Sequence, residues 1–308
     1  MRRIFVSTTT FSQYSNEPIQ LLMSQGYDVV HNQLGRKLTE EEIKNDITVY
    51  DGILAGTETY SASVLNKATC LKVISRLGVG LDNIDLDFAK KRNIKIYKTQ
   101  TAPAPAVAEL TLGLILDLMR KISEQNHQLK NGIWKKQMGS LLFGKTLGII
   151  GLGSIGKNLV EITQGFRLQY LAHDIIQDKE FMEKYNVKYC KLDELLAGSD
   201  VVTIHLNLSE ETNNIIDSGA LKKMKQNAIL INTSRGETIV ETALMEALDR
   251  ELIAGAGLDV YREEPYNGSL LQYNNVITTP HIGAYAKEIR MQMELEAAQN
   301  LIKGLKNE

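Results

Sequence analysis

Residues 146–174 read TLGIIGLGSIGKNLVEITQGFRLQYLAHD, and the fold turns on this stretch. It opens with a short apolar run, 147–150, of the kind a buried parallel strand requires. Gly151, Gly153 and Gly156 follow in G-x-G-x-x-G spacing, and a helix pattern runs over 155–165. A second apolar run, 168–172, leads into Asp174. Each glycine has a task in a strand–turn–helix that holds a dinucleotide. Gly151 allows the tight turn, Gly153 lets a pyrophosphate reach the backbone, and Gly156 lets helix pack on strand. Amides at the helix start, those of Ser154 and Ile155 among them, would hold the phosphates. Asp174 stands about 20 residues on, where a carboxylate accepts from a ribose 2′-OH. Ile175 and Ile176 follow it instead of an arginine, which favours NAD over NADP as cofactor.

The 308 residues are 43% hydrophobic and 23% charged, with a net charge of −2. That balance suits an ordinary globular chain and offers no basic surface for nucleic acid. The length fits two domains, each able to bury a core. Cys70 and Cys190 lie far apart and match no metal-ligand spacing, so they read as reduced thiols and no metal is expected. The chain begins MRRIFVSTTT, straight into a strand pattern, with no signal-peptide core and no long apolar span. A cytoplasmic protein without a membrane partner is the expectation.

Along the first hundred residues, strand runs at 3–7, 28–30, 52–55, 71–75 and 94–97 alternate with helix patterns at 18–25, 62–68 and 86–92. Thr39 and Glu42 form a capping box ahead of another helix, and Ser61 is placed to cap the helix at 62–68. Such alternation predicts a small parallel α/β domain. Pro103 and Pro105 then punctuate a break, and a long apolar helix is expected from Ala106 to about Lys130. Beyond the glycine motif, strand runs at 201–206, 228–231, 255–258 and 276–279 complete a doubly wound sheet of about six strands. A last amphipathic helix covers 287–306. The expected domains are 1–101 with 285–308, and 102–284. Two crossings of the chain between them would act as hinges, with a substrate cleft between the domains.

Three stretches of the second half carry candidate chemistry. INTSRG at 231–236 ends a strand in Arg235, whose planar fork suits a carboxylate. LDVYREEP at 258–265 is a strand exit crowded with acids, and ITTPHIG at 277–283 places His281 after another strand. Glu264 beside His281 would fix the imidazole tautomer and stabilise the imidazolium, as general acid–base work requires. A hydride carrier, a carboxylate clamp and an oriented imidazole together fit interconversion of a 2-hydroxy acid and a 2-oxo acid.

Several motifs in one order make the chain resemble the D-2-hydroxyacid dehydrogenase family, in its phosphoglycerate-dehydrogenase-like branch. They are SRLGVGLDNID, AVAELTLGLIL, GLGSIGK, INTSRGE, GAGLDVYREEP and PHIGAYAKE. The resemblance implies a Rossmann nucleotide domain inserted into a smaller flavodoxin-like lid domain. It places the catalytic Arg, Glu and His on Arg235, Glu264 and His281, and the cofactor glycines and acid on the positions above. Asp259 matches the position that meets the nicotinamide carboxamide, and His205 and Thr233 lie beside the cofactor path. Backbone amides near Val79 and Gly80 match the loop that holds the substrate carboxylate. The resemblance also implies D-series substrates and a homodimer through the nucleotide domain.

Three positions depart from the family pattern: Pro103 where Asn is frequent, Asn207 where His-x-Pro is usual, and Glu58 where phosphoglycerate enzymes carry arginines nearby. A carboxylate at Glu58 would repel a phosphate, which argues against 3-phosphoglycerate. The chain ends after its last helix, so no appended regulatory domain is expected. Two alternatives stand beside the dehydrogenase: an NAD(H)-sensing binding protein of the same fold, and a formate- or phosphite-type dehydrogenase.

Overall fold

The computed structural model describes residues 1–100 and 103–306. The chain divides into two units, Met1–Pro103 with Tyr285–Glu308, and Ala104–Ala284. The sequence boundary drawn between Thr101 and Ala102 lies outside the described residues.

Unit 1 is built on five strands, β1 (Arg3–Val6), β2 (Asp28–His31), β3 (Gly52–Ala55), β4 (Val73–Arg76) and β5 (Lys95–Lys98). All pair in parallel, in the order β2-β1-β3-β4-β5. The central strands β3 and β4 are buried at every position, as a parallel sheet covered on both faces requires. On one face, Ile43, Tyr60, Val64, Leu65 and Ile74 form a core. The long helix Lys287–Lys306 closes unit 1, burying Met293, Ala297, Ala298 and Leu301. It contacts β3, β4 and β5. Thr39 and Glu42 form the capping box read from the sequence. Ser61 stands at its N-cap position but makes no cap, because its hydroxyl donates to Glu40 instead.

Unit 2 has seven strands, one more than the apolar runs predict. They are β6 (Thr146–Ile150), β7 (Gln169–His173), β8 (Val187–Tyr189), β9 (Val201–Ile204), β10 (Ile229–Asn232), β11 (Gly255–Leu258) and β12 (Val276–Thr278). The order is β12-β11-β10-β9-β6-β7-β8, again all parallel. The extra strand β8 is a three-residue edge with only Val187 buried, too short to give a periodic signal. Two apolar cores cover the two faces of this sheet. Strand order reverses between β6 and β9, and ligands gather outside the strand C-termini at such a point.

The long helix expected after the prolines is two helices, Ala104–Arg120 and Ile122–Lys130. Lys121 breaks them in the left-handed conformation, φ +53°. The first buries Ala104, Ala108, Leu114 and Ile115, whereas the second buries nothing within the chain. Among the described residues, no helix is long and apolar enough to cross a membrane.

Candidate active site

The nucleotide turn is built as its spacing demands. Gly151 leaves β6 at φ +95°, and a Cβ there would lie 2.6 Å from the His205 carbonyl at the exit of β9. A Cβ on Gly156 would meet the Gly151 carbonyl at 2.6 Å, so the helix Ser154–Ile162 packs onto the turn only because Gly156 is bare. Gly153 is the N-cap of that helix and supplies no side chain to its first amides. A Cβ at Gly153 would enter open space. The helix therefore begins one residue before the sequence pattern, with uncapped donors facing an unfilled approach, which suits a pyrophosphate.

Asp174 follows β7 and is fixed against this turn. Its Oδ2 accepts from Leu152 N–H at 2.7 Å and its Oδ1 from Ile176 N–H at 3.0 Å. Each oxygen keeps a lone pair for a ribose hydroxyl. Ile175 and Ile176 beside it are exposed. The nearby cation Lys157 is drawn to Asp178, Nζ to Oδ2 2.5 Å. An uncapped helix start, a bare glycine rim and a fixed carboxylate fit an adenine dinucleotide.

His205 and Thr233 sit at the exits of β9 and β10. The His205 Nε2 contacts the Thr203 hydroxyl, and its Nδ1 lies 3.5 Å from Thr233 Oγ1, which is 3.0 Å from Thr111 Oγ1. Loss of water around the ring pushes its pKa down to about 3, so it is neutral at any working pH. An unfolded histidine takes a proton near pH 6.5. Below that pH the unfolded chain gains a proton that the folded chain refuses. Stability from this group is therefore present above pH 6.5 and lost as pH falls towards 3, by at most about 1.4 kcal/mol per pH unit. Urea midpoints of the parent should fall faster between pH 6.5 and 4.5 than those of a His205→Gln variant. Equal slopes would mean that the folded ring titrates normally.

Arg235 occupies a tight turn after β10. Asn232, which nothing in the sequence marked, is its scaffold: its Nδ2 donates to the Arg235 carbonyl at 2.9 Å and its Oδ1 accepts from Ser234 N–H at 3.1 Å. Gly236 lies so close to the β11 exit that a Cβ would fall 2.0 Å from the Tyr261 carbonyl carbon. The guanidinium Nη1 donates to the Ser234 carbonyl at 2.7 Å, and the side chain is partly buried.

Glu264 and His281 are brought together from the exits of β11 and β12. His281 Nδ1 stands 3.0 and 2.9 Å from the two Glu264 carboxylate oxygens. This contact assigns the Nδ1 proton to the carboxylate and leaves Nε2 for chemistry. The histidine side chain is 33% exposed, so the ring is supported on one edge and open on another. His281 itself has φ +54°, a conformation held by its neighbours. Asp259 does much of that holding. Its Oδ1 accepts from Thr279 Oγ1 at 2.5 Å and Ile282 N–H at 2.8 Å, and its Oδ2 from Gly283 N–H at 2.8 Å. Burial holds the Asp259 carboxyl above the usual carboxylate range, and these donors offset only part of the rise. Tyr261 adds a second tie, its one hydroxyl proton shared between the carbonyls of Leu258 and Thr279, each 3.0 Å from the phenol oxygen.

The family model for the D-isomer specific 2-hydroxyacid dehydrogenase NAD-binding domain matches residues 112–283. The chain belongs to that family. It is an NAD-dependent oxidoreductase, and the glycine turn, the helix start at Ser154 and Asp174 all lie within the matched NAD-binding domain. The chain is 36% identical over 299 residues to a D-3-phosphoglycerate dehydrogenase of Archaeoglobus fulgidus, spanning 94% of this chain and 56% of that protein. It is also 36% identical over 296 residues to a hydroxypyruvate reductase of Thermotoga maritima, spanning 94% and 95%. The apo D-lactate dehydrogenase of Escherichia coli superposes with a TM-score of 0.86 at 27% identity, covering 100% of this chain and 98% of that one.

Val79 and Gly80 belong to unit 1, on the loop leaving β4. Glu58, expected to confront a phosphate, is instead 3% exposed with its carboxylate turned onto Ser7 and Gly56. A carboxylate held inward in this way presents no charge for a phosphorylated substrate to meet, so Glu58 does not weigh against one. Asn207 is exposed, and its carbonyl accepts from Thr212 Oγ1 at 2.7 Å.

Proposed function

We propose that this protein interconverts a D-2-hydroxy acid and its 2-oxo acid, with Arg235, His281 and Glu264 carrying the chemistry. The observation that supports this most is the two-oxygen contact of Glu264 with His281, set beside the Arg235 turn at neighbouring strand exits. Bound NAD supplies the hydride acceptor for oxidation, and its reduced form the donor for reduction. Arg235 binds the substrate carboxylate with its fork and polarises the C2 oxygen. His281 Nε2 takes the C2 hydroxyl proton as the alcohol is oxidised and returns it as the ketone is reduced. Glu264 holds the ring and offsets the positive charge that this proton brings. Asp259 and Thr233 line the nicotinamide side of the site.

The test is NADH oxidation against glyoxylate, hydroxypyruvate, pyruvate, 2-oxoglutarate, phosphohydroxypyruvate and branched 2-oxo acids. Turnover with at least one acid is expected, and the preferred acid names the pocket. Tight NADH binding with no turnover on any of them would favour a sensor.

We also propose a homodimer through unit 2. The helix Ile122–Lys130 buries no residue, and Ile122, Leu129, Ile133, Trp134, Met138 and Leu141 are exposed around it, with Trp134 82% and Met138 91% open. So much apolar surface in one region marks a protein interface. Light scattering should report a dimer for the parent and a monomer for a Trp134→Glu, Met138→Glu variant. A monomeric parent would remove the proposal.

A further inference from the structure

Unit 1 has a switch point of its own. Its strand order reverses between β1 and β3, and a parallel sheet of this order gathers ligands in the crevice outside those two strand ends. That crevice already holds an anion belonging to the protein. β1 leaves through Ser7 and β3 through Gly56. The Glu58 carboxylate accepts from Ser7 Oγ at 2.8 Å and from Gly56 N–H at 2.8 Å. The phenol of Tyr60, fully buried, donates to Ser7 Oγ at 3.0 Å and completes the cradle. A Cβ on Gly56 would stand 3.0 Å from both carboxylate oxygens, so the anion rests on bare backbone. Asn83 fixes the loop from below, donating from Nδ2 to the carbonyls of Gly56 at 3.2 Å and Glu58 at 2.6 Å. Arg76, 8% exposed, ends the neighbouring strand β4.

A backbone amide, a hydroxyl backed by a phenol, and a bare glycine are what a small carboxylate or phosphate would seek from solution. We propose that Glu58 is an internal ligand: its side chain fills the anion cradle at the switch point of unit 1 and closes it to exogenous carboxylates and phosphates. The residue therefore acts by exclusion, keeping this crevice from binding anions while it rigidifies the loops after β1 and β3. All the groups involved lie in unit 1, and none of them is Arg235, Glu264 or His281.

Thermal unfolding of the full chain tests it, in sodium formate and in sodium chloride of equal ionic strength. Truncation by Glu58→Ala leaves Ser7 Oγ and Gly56 N–H only the longer contacts to the Leu54 carbonyl at 3.3 Å and to Ser7 Oγ at 3.4 Å, and should lower the unfolding temperature by about 3–8 °C. Formate should restore a saturable part of that loss, through binding to the folded state alone. The parent and a Glu58→Gln variant should respond to formate no more than to chloride. An alanine variant that gains nothing specific from formate would overturn the proposal, as would a parent that gains as much. If Glu58→Ala folds in neither salt, Glu58→Gln decides. A lowered unfolding temperature supports a held carboxylate, and an unchanged one overturns it.

Discussion

Replacing His281 by alanine is expected to lower turnover by about 10²–10⁴, while NADH binds as before. The expectation follows from where the ring is held. Glu264 takes Nδ1, so Nε2 is the nitrogen left to exchange a proton with the substrate oxygen. The other histidines of unit 2 are engaged elsewhere: His205 lies against Thr203 and Thr233, His173 Nδ1 contacts the Cys190 carbonyl, and His127 sits on the helix Ile122–Lys130 against Asn131. The turn proposed to hold the cofactor is made by β6, its glycines and Asp174, whereas the ring is held from the exits of β11 and β12. A direct NADH titration beside steady-state kinetics reads both halves of the prediction. His281→Asn serves as a second variant, because asparagine tolerates the φ of +54° that the position imposes. Both variants turning over at the parental rate would remove His281 as the acid–base group. Weak NADH binding in both would mean that the loop at 279–283 shapes the cofactor site and that lost turnover says nothing of proton transfer.

How much of this was legible in the sequence depended on the range of the interactions. The nucleotide turn was readable because strand, turn and helix are consecutive, and each glycine answers a local steric demand. The pairing of Glu264 with His281 could be guessed because both follow apolar runs that become adjacent strands β11 and β12. Other features had no such local signature. Asn232 looks like the polar end of an apolar strand, yet its amide braces the Arg235 turn on both sides. Asp259 read as a cofactor contact, but three donors from the His281 loop converge on it, and those partners lie at least twenty residues away in the chain. Lys121 interrupts a continuous apolar pattern with a left-handed residue that is neither glycine nor asparagine, so no turn signal announced it. Glu58 misled because glutamate is almost never fully buried, and exposure was the natural assumption. Of its two donors, Gly56 N–H is a near neighbour, but Ser7 Oγ comes from the exit of β1, about fifty residues away in the chain.

Converting Arg235 to lysine is expected to lower kcat/KM for the preferred 2-oxo acid by about 10–150-fold, with NADH affinity and unfolding temperature close to the parent's. The size follows from losing one of two charge-assisted hydrogen bonds, about 1.5–3 kcal/mol. Stability should hold because the guanidinium's bond to the Ser234 carbonyl, which a lysine ammonium can also make, is not what shapes the turn. Asn232 carries it through the backbone of Ser234 and Arg235, and the bare Gly236 seats it on Tyr261. The division of the loss between KM and kcat is informative. A rise in KM alone means that the fork binds the carboxylate equally in ground and transition states. A fall in kcat as well means that it also steadies charge developing on the C2 oxygen, the second role assigned to it. A lysine variant with unaltered kinetics would take Arg235 out of the substrate site and leave the Glu264–His281 pair to be explained without a carboxylate clamp.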